Sequence, residues 1–233
     1  MSYKGISARE RRLLDQLSSR NLLVFRPVDV SNILGESKDN TYRILSRMED
    51  KDIIERIEKG KYITEEDMKE THLYEIATHI IEPSYLSLRS ALHHYGYSTQ
   101  VPRTVYVMTS TPKEELTIGE ETVEFVKTEH FFGYVSKGDL VIAEPEKLII
   151  DCLLFPDHVP LNEVVTGLKE AALDGEKLID YALKVGNRSL NSRLGYLLEM
   201  TGKDIDLKRL EKKSSKTPIS LRPGKEEGEI DDG

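Results

Sequence analysis

Apolar residues recur at helical spacing in three stretches within the first fifty positions of the chain. Leu13, Leu14 and Leu17 predict a first helix that begins near Ser7, a residue whose side chain suits an N-cap. Residues 27–34 predict a second, short helix that starts at a proline and stops before a glycine.

A third helix is predicted after Ser37, because its apolar positions fall on one side. Ile44, Leu45 and Met48, together with the methyl group of Thr41, follow the i, i+3, i+4, i+7 spacing of a helix face. The opposite side then carries Asp39, Asn40, Tyr42, Arg43, Ser46 and Arg47. These side chains can bond to phosphates and to base edges, so this side is a candidate for binding nucleic acid.

Residues 53–64 predict a β-hairpin directly after the third helix. Two β-prone runs flank Lys59-Gly60, where glycine can adopt the positive φ angle of a tight turn. Three helices followed by a basic hairpin are typical of a winged helix-turn-helix, whose third helix enters the major groove of DNA. We therefore predict a winged helix DNA-binding domain over residues 1–68.

The pattern after residue 68 predicts a mixed α/β domain over residues 69–213. Helices are predicted at residues 73–80 and 83–96, and in four further segments between residues 145 and 200. Period-two alternation predicts strands at residues 104–109, 121–126, 132–135 and 139–143. The predicted fold class is α+β, with a mostly antiparallel sheet and C-terminal helices. Residues 214–233 are predicted to be a mostly disordered acidic tail.

The composition is that of a soluble globular protein. Of the 233 residues, 38% are hydrophobic and 32% are charged. No apolar run approaches the roughly 20 residues of a membrane helix, and the first residues lack the apolar core of a signal peptide. We expect a cytoplasmic protein with no membrane partner. The single cysteine, Cys152, excludes an internal disulfide and a CxxC zinc motif.

The net charge of −8 is spread unevenly along the chain. Residues 1–64 hold 13 Lys and Arg residues against 10 Asp and Glu residues, whereas the remainder holds 20 against 31. The N-terminal part is therefore the part of the chain that is suited to meeting an anion such as DNA.

Three short motifs follow the predicted winged helix: Ser90-Ala91-Leu92, then Pro145-Glu146-Lys147 with Asp151, then Arg193-Leu194-Gly195 with Leu198. In this order they resemble the AbiEi family of antitoxin-type transcriptional regulators of bacteria and archaea, which belong to type IV toxin-antitoxin systems. The resemblance extends from roughly Ser7 to Gly202 and depends on the order of these motifs.

This resemblance implies an autorepressor that binds inverted repeats in its own promoter. We expect two protomers, a homodimer, to read the two half-sites. It also implies a functional partner, a nucleotidyltransferase toxin that the C-terminal domain counteracts without a stable complex. Carried over by residue, the DNA-binding role falls on Lys38, Asn40, Thr41, Tyr42, Arg43 and Arg47 of the third helix, with Arg56, Lys59 and Lys61 on the wing.

We predict no catalytic residue, no metal ligand and no cofactor, and therefore no enzyme. Asp139 followed by Glu146 and Lys147 is similar to a nuclease pattern, but that pattern needs one residue between the glutamate and the lysine. We interpret these residues as structural. Arg193, inside an apolar helix, is expected to reach a carboxylate or a carbonyl, with Asp151 as the candidate carboxylate.

Three alternatives to a toxin-antitoxin repressor stay open. The C-terminal domain could sense a small ligand, so that DNA affinity shifts when a metabolite is added. The protein could be a metal-dependent nuclease that needs Asp139 or Glu146. The N-terminal domain could instead be a protein-interaction module that ignores DNA.

Overall fold

The computed structural model describes residues 5–215, 217 and 219–221. The chain divides into two compact units, Met1–Glu82 and Pro83–Gly233. The division lies 14 residues after the position at which the sequence pattern predicts a domain boundary. Within the predicted acidic tail, residues 216, 218 and 222–233 lie outside the described residues.

The first unit contains five helices and one hairpin within its described residues. Its helices are α1 (Ala8–Ser19), α2 (Pro27–Leu34), α3 (Lys38–Glu49), α4 (Glu65–Glu70) and α5 (Leu73–His79). Its strands are β1 (Ile54–Glu58) and β2 (Lys61–Thr64), which pair antiparallel. The predicted positions of α1, α2, α3 and the hairpin are confirmed. The helix α4 lies in a segment that the polar pattern did not predict to be helical, and Thr64 caps it by accepting a hydrogen bond from the N–H of Asp67 at 3.0 Å.

Local capping determines where these helices begin and end. At the start of α1 the hydroxyl of Ser7 accepts a hydrogen bond from the N–H of Glu10 at 3.3 Å, and the Glu10 carboxylate accepts from the N–H of Ser7 at 2.7 Å. This reciprocal pair is a capping box. At the end of α2, Gly35 adopts a φ angle of +68°, a left-handed conformation that glycine takes without strain.

The apolar sides of α1, α2 and α3 meet the hairpin in one core. The buried members are Leu13, Leu17, Phe25, Val30, Ile33, Ile44, Leu45, Met48, Ile53, Ile54 and Tyr62. The segment between α1 and α2 joins the hairpin, because the backbones of Phe25 and Tyr62 exchange two hydrogen bonds of 2.9 Å. The hairpin is thereby held against the helices.

The second unit is built around a six-stranded sheet. Its strands are β3 (Ser84–Leu86), β4 (Thr104–Thr109), β5 (Leu116–Ile118), β6 (Glu121–Lys127), β7 (Tyr134–Lys137) and β8 (Leu140–Ala143), and their spatial order is β5-β6-β4-β3-β8-β7. Three of the five pairings are antiparallel, and β3 with β8 and β4 with β6 are parallel. The α+β class with a mostly antiparallel sheet is confirmed.

The helices of the second unit pack around one buried helix. They are α6 (Leu88–His94), α7 (Pro145–Leu154), α8 (Leu161–Glu170), α9 (Gly175–Val185), α10 (Arg188–Thr201) and the short α11 (Lys208–Glu211). Helix α7 contacts α6, α8, α9 and α10, and every residue from Glu146 to Leu153 is buried. None of the helices in the described part of the chain combines the length and the hydropathy of a membrane span.

The prediction of one helix over residues 83–96 is wrong. The first part is the strand β3, which lies between β4 and β8, and the helix α6 starts only at Leu88. Leu88 has a φ angle of +52°, which breaks the chain direction between the two elements. Tyr85, Leu88 and Leu92 are all buried, and their i, i+3, i+7 spacing also fits a helix face. Periodicity alone cannot show whether a short apolar run is a buried strand or part of a buried helix.

Candidate nucleic-acid interface

Helix α3 has one buried side and one exposed side. The hydroxyl of Ser37 caps it by accepting a hydrogen bond from the N–H of Asn40 at 3.4 Å. Its buried positions are Thr41, Ile44, Leu45 and Met48, each no more than 1% exposed. Because this side is held in the core, the orientation of the polar side is determined as well.

The exposed side of α3 carries a compact group of polar and cationic side chains. Lys38, Tyr42, Arg43, Ser46 and Arg47 are all exposed, and Tyr42 retains 45% of its surface. A shallow depression of about 620 Å³ lies on this side, lined by Asn40, Tyr42, Arg43, Ser46 and Arg47. We call these five lining residues the α3 surface.

Two contacts orient side chains of the α3 surface. The Nε of Arg47 donates to the carbonyl of Arg43 at 3.2 Å, so the Arg47 side chain lies along the helix. The amide of Asn40 donates through Nδ2 to the carboxylate of Glu36, which also pairs with Arg9 at 2.8 Å. Since a carboxylate only accepts, the amide nitrogen of Asn40 must face Glu36, and its Oδ1 is turned away.

The assignment of Thr41 to the DNA-binding group needs a correction. Its side chain is only 1% exposed, and its hydroxyl donates to the carbonyl of Ser37 at 2.9 Å. A ligand on the α3 surface cannot reach this hydroxyl in the folded state. Thr41 therefore belongs to the core side of α3, where its methyl group was predicted to lie.

The hairpin presents its three predicted cations in different ways. Lys59 is exposed at the turn, beside Gly60, whose φ angle is +80°. Arg56 is exposed on β1, and its Nε donates to the carbonyl of Glu58 at 3.3 Å. Lys61 is half-buried: its ammonium pairs with the Glu58 carboxylate at 2.8 Å and donates to the carbonyl of Ile80. The Lys61 charge is thus engaged within the first unit.

Two residues of this region, Ser46 and Glu36, are not among the DNA-binding residues that the sequence predicts. Ser46 lines the depression between Arg43 and Arg47, and the helical spacing had already placed it on the polar side. Glu36 orients Asn40 from the turn between α2 and α3, before the N-cap Ser37. Its second partner, Arg9, lies in α1 and could not be read from local spacing.

Comparison with known proteins identifies a solved structure that shares the fold of this chain. No protein-family model matches the chain, and no curated protein matches it in sequence. The crystal structure of the RV2827C protein from Mycobacterium tuberculosis is similar, with a TM-score of 0.58 at 18% sequence identity. The match covers 91% of this chain and 84% of that chain. At this identity the likeness shows a shared fold and nothing more.

The motifs of the second unit that suggested a family resemblance are largely buried. Lys147 and Asp151 pair with each other on α7, and both side chains are 0% exposed. Glu146 accepts a hydrogen bond from the N–H of Asp174 at 2.8 Å. Arg193 does not reach Asp151: its Nη2 donates to the carbonyl of Leu153 at 3.1 Å. The prediction that Arg193 reaches a carbonyl is therefore confirmed. The prediction of Asp151 as its carboxylate partner is wrong, because Asp151 pairs with Lys147.

The acidic residues of the second unit form no metal-binding cluster within the part of the chain that the structure describes. No group of three or more His, Cys, Asp or Glu side chains there has the geometry to hold a metal ion. Glu144 instead binds Lys177 at 2.8 Å and the hydroxyl of Tyr181 at 2.5 Å.

Proposed function

We propose that the first unit is a winged helix-turn-helix that binds double-stranded DNA, and that the protein is a transcriptional repressor. The observation that carries this proposal is the two-sided helix α3. Its apolar side is fixed in the core, so that Tyr42, Arg43 and Arg47 project together from the other side. An exposed helix of this kind fits the major groove, where side chains can reach base edges.

Arg43 and Arg47 are the candidates for reading bases. Guanidinium groups bond in pairs to the O6 and N7 atoms of guanine, which is the commonest specific contact in the major groove. Asn40 turns its Oδ1 acceptor away from Glu36, so that this atom suits the amino group of a cytosine or an adenine. The hairpin would lie against the phosphate backbone, with Arg56 and Lys59 as its exposed cations.

Acidic residues near α3 favour recognition of DNA by two copies of the protein. Asp39, Glu49 and Asp50 are exposed on or beside α3 and would weaken attraction to phosphates. A single module therefore binds weakly, and a homodimer on an inverted repeat adds the contacts of a second half-site. The repeat centres would lie one helical turn of DNA apart, or a multiple of it.

Anisotropy of a labelled duplex from the region upstream of the protein's own gene tests DNA recognition. At low ionic strength the protein should bind this duplex more tightly than a scrambled duplex of the same composition. Arg43→Ala and Arg47→Ala should each weaken specific binding by about 1 to 3 kcal/mol. Lys169→Ala is the matched control, because it removes an exposed cation from α8 in the second unit. Equal losses on the scrambled duplex would reject base reading, and no binding to either duplex would reject the proposal.

We further propose that the repressor is the antitoxin of a toxin-antitoxin pair, acting on a nucleotidyltransferase toxin through the second unit. The order of the motifs Ser90-Ala91-Leu92, Pro145-Glu146-Lys147 and Arg193-Leu194-Gly195 supports this.

Rescue of growth tests the antitoxin role separately from DNA binding. The full chain is co-expressed with a nucleotidyltransferase encoded next to its gene, from a promoter that it does not regulate. Both the wild type and the Arg43→Ala, Arg47→Ala double variant should restore growth, because the α3 surface belongs to the first unit. Failure of the wild type to rescue would contradict the antitoxin role and leave the DNA-binding result standing.

A further inference from the structure

The helix α10 holds a buried cation without an anionic partner among the described residues. The Arg193 side chain is 6% exposed, and the carbonyl of Leu153 accepts from its Nη2. Its Nε and Nη1 have no hydrogen-bond partner in the described part of the chain. Burial lowers the pKa of Arg193, yet a guanidinium stays charged in proteins. A buried charge normally has both a counter-ion and satisfied hydrogen bonds.

Two residues of α10 carry the buried polar atoms that lack a partner in the described part of the chain. Within the described residues, three buried side-chain nitrogen or oxygen atoms have no hydrogen-bond partner. Two belong to Arg193, and the third is the Oδ1 of Asn191, two positions earlier on the same helix. Asn191 lines a different cavity from Arg193, and its Oδ1 is an acceptor, so only the Arg193 guanidinium bears on an anion.

Arg193 lines a cavity of about 370 Å³ together with hydroxyl groups. Ser192 and Tyr196 contribute from α10, and Ser215 and Thr217 contribute from the segment that follows α11. No Asp or Glu is among the described residues that line it. Since one water takes up about 30 Å³ in the liquid, the cavity has room for more than an isolated water.

The surroundings of this cavity are cationic, although the second unit is acidic as a whole. A neighbouring cavity of about 510 Å³ on the same helix is lined by Arg188, Arg209, Lys212 and Lys213. Such a concentration of cations raises the local concentration of anions. Arg209 is itself paired, with Glu176 at 3.2 Å and Asp180 at 2.7 Å, so the remaining cations supply most of this attraction.

We propose that the cavity at Arg193 binds a small oxyanion, a phosphate or carboxylate group, with the guanidinium as its charged partner and the lining hydroxyl groups as further donors. An oxyanion supplies the counter-charge that the guanidinium lacks among the described residues. The site lies in the second unit and does not depend on DNA binding by the first.

Thermal unfolding in sodium phosphate tests the site, with sodium chloride of equal ionic strength as reference. At about ten times the dissociation constant, phosphate should raise the melting temperature of the wild type by roughly 3 to 6 °C, in a saturable way. Isothermal titration calorimetry with phosphate should give one site per chain. Phosphate also stabilises proteins without binding, but that effect does not saturate and is shared by all variants.

Two variants remove the site in different ways, and a third serves as control. Arg193→Met removes the charge at nearly constant volume, and it should abolish the saturable response. Tyr196→Glu places a carboxylate at the cavity from a position that is 51% exposed, so that folding is retained while added phosphate is repelled. Lys169→Met removes an exposed cation from α8 and should respond like the wild type.

The chain itself is a second source of the same chemistry, because Glu226, Glu227, Glu229, Asp231 and Asp232 follow in the sequence. A full-length variant with these five residues changed to Gln or Asn separates the sources. A response of the wild type supports a free ligand. If only the neutralised variant responds to phosphate, the result supports a carboxylate of the chain as the oxyanion that the cavity binds in the wild type. The proposal is overturned if neither form responds beyond chloride, or if Arg193→Met and Tyr196→Glu respond like the wild type.

Discussion

Lys147 and Asp151 form an ion pair one helical turn apart on α7, and neither side chain is exposed to solvent. The Asp151 carboxylate also accepts hydrogen bonds from the hydroxyl groups of Tyr85, at 3.1 Å, and Ser87, at 2.9 Å. Burial raises the pKa of Asp151, while the bonds from Lys147, Ser87 and Tyr85 oppose that rise. The network joins the central strand β3 to the central helix α7, so it specifies how sheet and helices pack.

Removal of one partner of this pair should destabilise the second unit strongly. Asp151→Asn or Lys147→Met should each lower the free energy of unfolding by about 3 to 5 kcal/mol, because the other charge stays buried without its partner. The double variant should lose less than the sum of the two. Urea denaturation followed by circular dichroism measures this, with Lys169→Met as an exposed control. Single variants with wild-type midpoints would show that the pair is unimportant for stability.

Thr41 should affect stability and not DNA recognition. Thr41→Val keeps the shape of the side chain but removes the hydroxyl that donates to the carbonyl of Ser37. The free energy of unfolding should fall by about 1 kcal/mol, as for the loss of one buried hydrogen bond. Below the unfolding transition, anisotropy should show wild-type preference for the upstream duplex over the scrambled one. A changed preference would return Thr41 to the DNA-binding residues.

Lys59 and Lys61 should differ in their effect on the salt dependence of binding, although they lie two positions apart on one hairpin. Lys59→Gln removes an exposed charge and should reduce the slope of log affinity against log salt concentration by about 1. Lys61→Gln breaks contacts with Glu58 and Ile80, so it should lower the melting temperature and change the slope less. Titrations at four salt concentrations, with thermal unfolding of both variants, distinguish them. Equal slope changes would mean that Lys61 leaves its internal partners to meet DNA.

The sequence predicts local elements well and distant contacts poorly. The caps at Ser7 and Gly35 and the apolar spacing around Ile44 act within a few residues, and they were sufficient for α1, α2 and α3. The strand β3 was missed because its identity depends on pairing with β4 and β8, which come 18 or more residues later. Burial on both sides removes the alternation that would have revealed it.

The candidate site shows the same division. The helical period placed Arg43 and Arg47 on the exposed side of α3, and the structure agrees. Residue type alone could not show that Lys61 is held by the carbonyl of Ile80, 19 positions away. The pairing of Lys147 with Asp151 follows the i, i+4 spacing of a helix, so local spacing is a better guide to the partner of Asp151 than the distant Arg193.

Acid should weaken the second unit partly through Glu144. Burial raises the pKa of this carboxyl, but hydrogen bonds from Lys177 and Tyr181 outweigh burial and lower it below its ordinary value of 4.5. Burial and Glu144 raise the pKa of Tyr181 to about 12, so its hydroxyl remains a donor. A lowered folded pKa stabilises the protein above the unfolded pKa, and this contribution is lost as pH falls through the folded pKa.

Glu144→Gln should therefore be less stable than the wild type at pH 7 and should lose less stability on acidification below about pH 4.5. Thermal unfolding across this range measures the difference. Glu170→Gln, an exposed position on α8, is the charge-matched control. Parallel pH profiles for the wild type and Glu144→Gln would show that the contacts of Glu144 contribute nothing to the acid response.

Cys152 should report the unfolding of the second unit alone. It is the single cysteine of the chain, lies on α7 beside Asp151, and is 1% exposed. Burial, with the nearby Asp151 and Glu163 carboxylates, raises the pKa of its thiol well above the ordinary value of 9.0. Because the thiolate is the reactive form, a disulfide reagent at pH 8 should leave the native protein unmodified and label one thiol per chain in urea.

The urea concentration at the midpoint of labelling should be lower for Asp151→Asn than for the wild type, while Thr41→Val, in the first unit, should leave it unchanged. Rapid labelling of the native protein would contradict the packing of α7, since the reagent can reach the buried thiol only after the neighbouring helices have separated from α7.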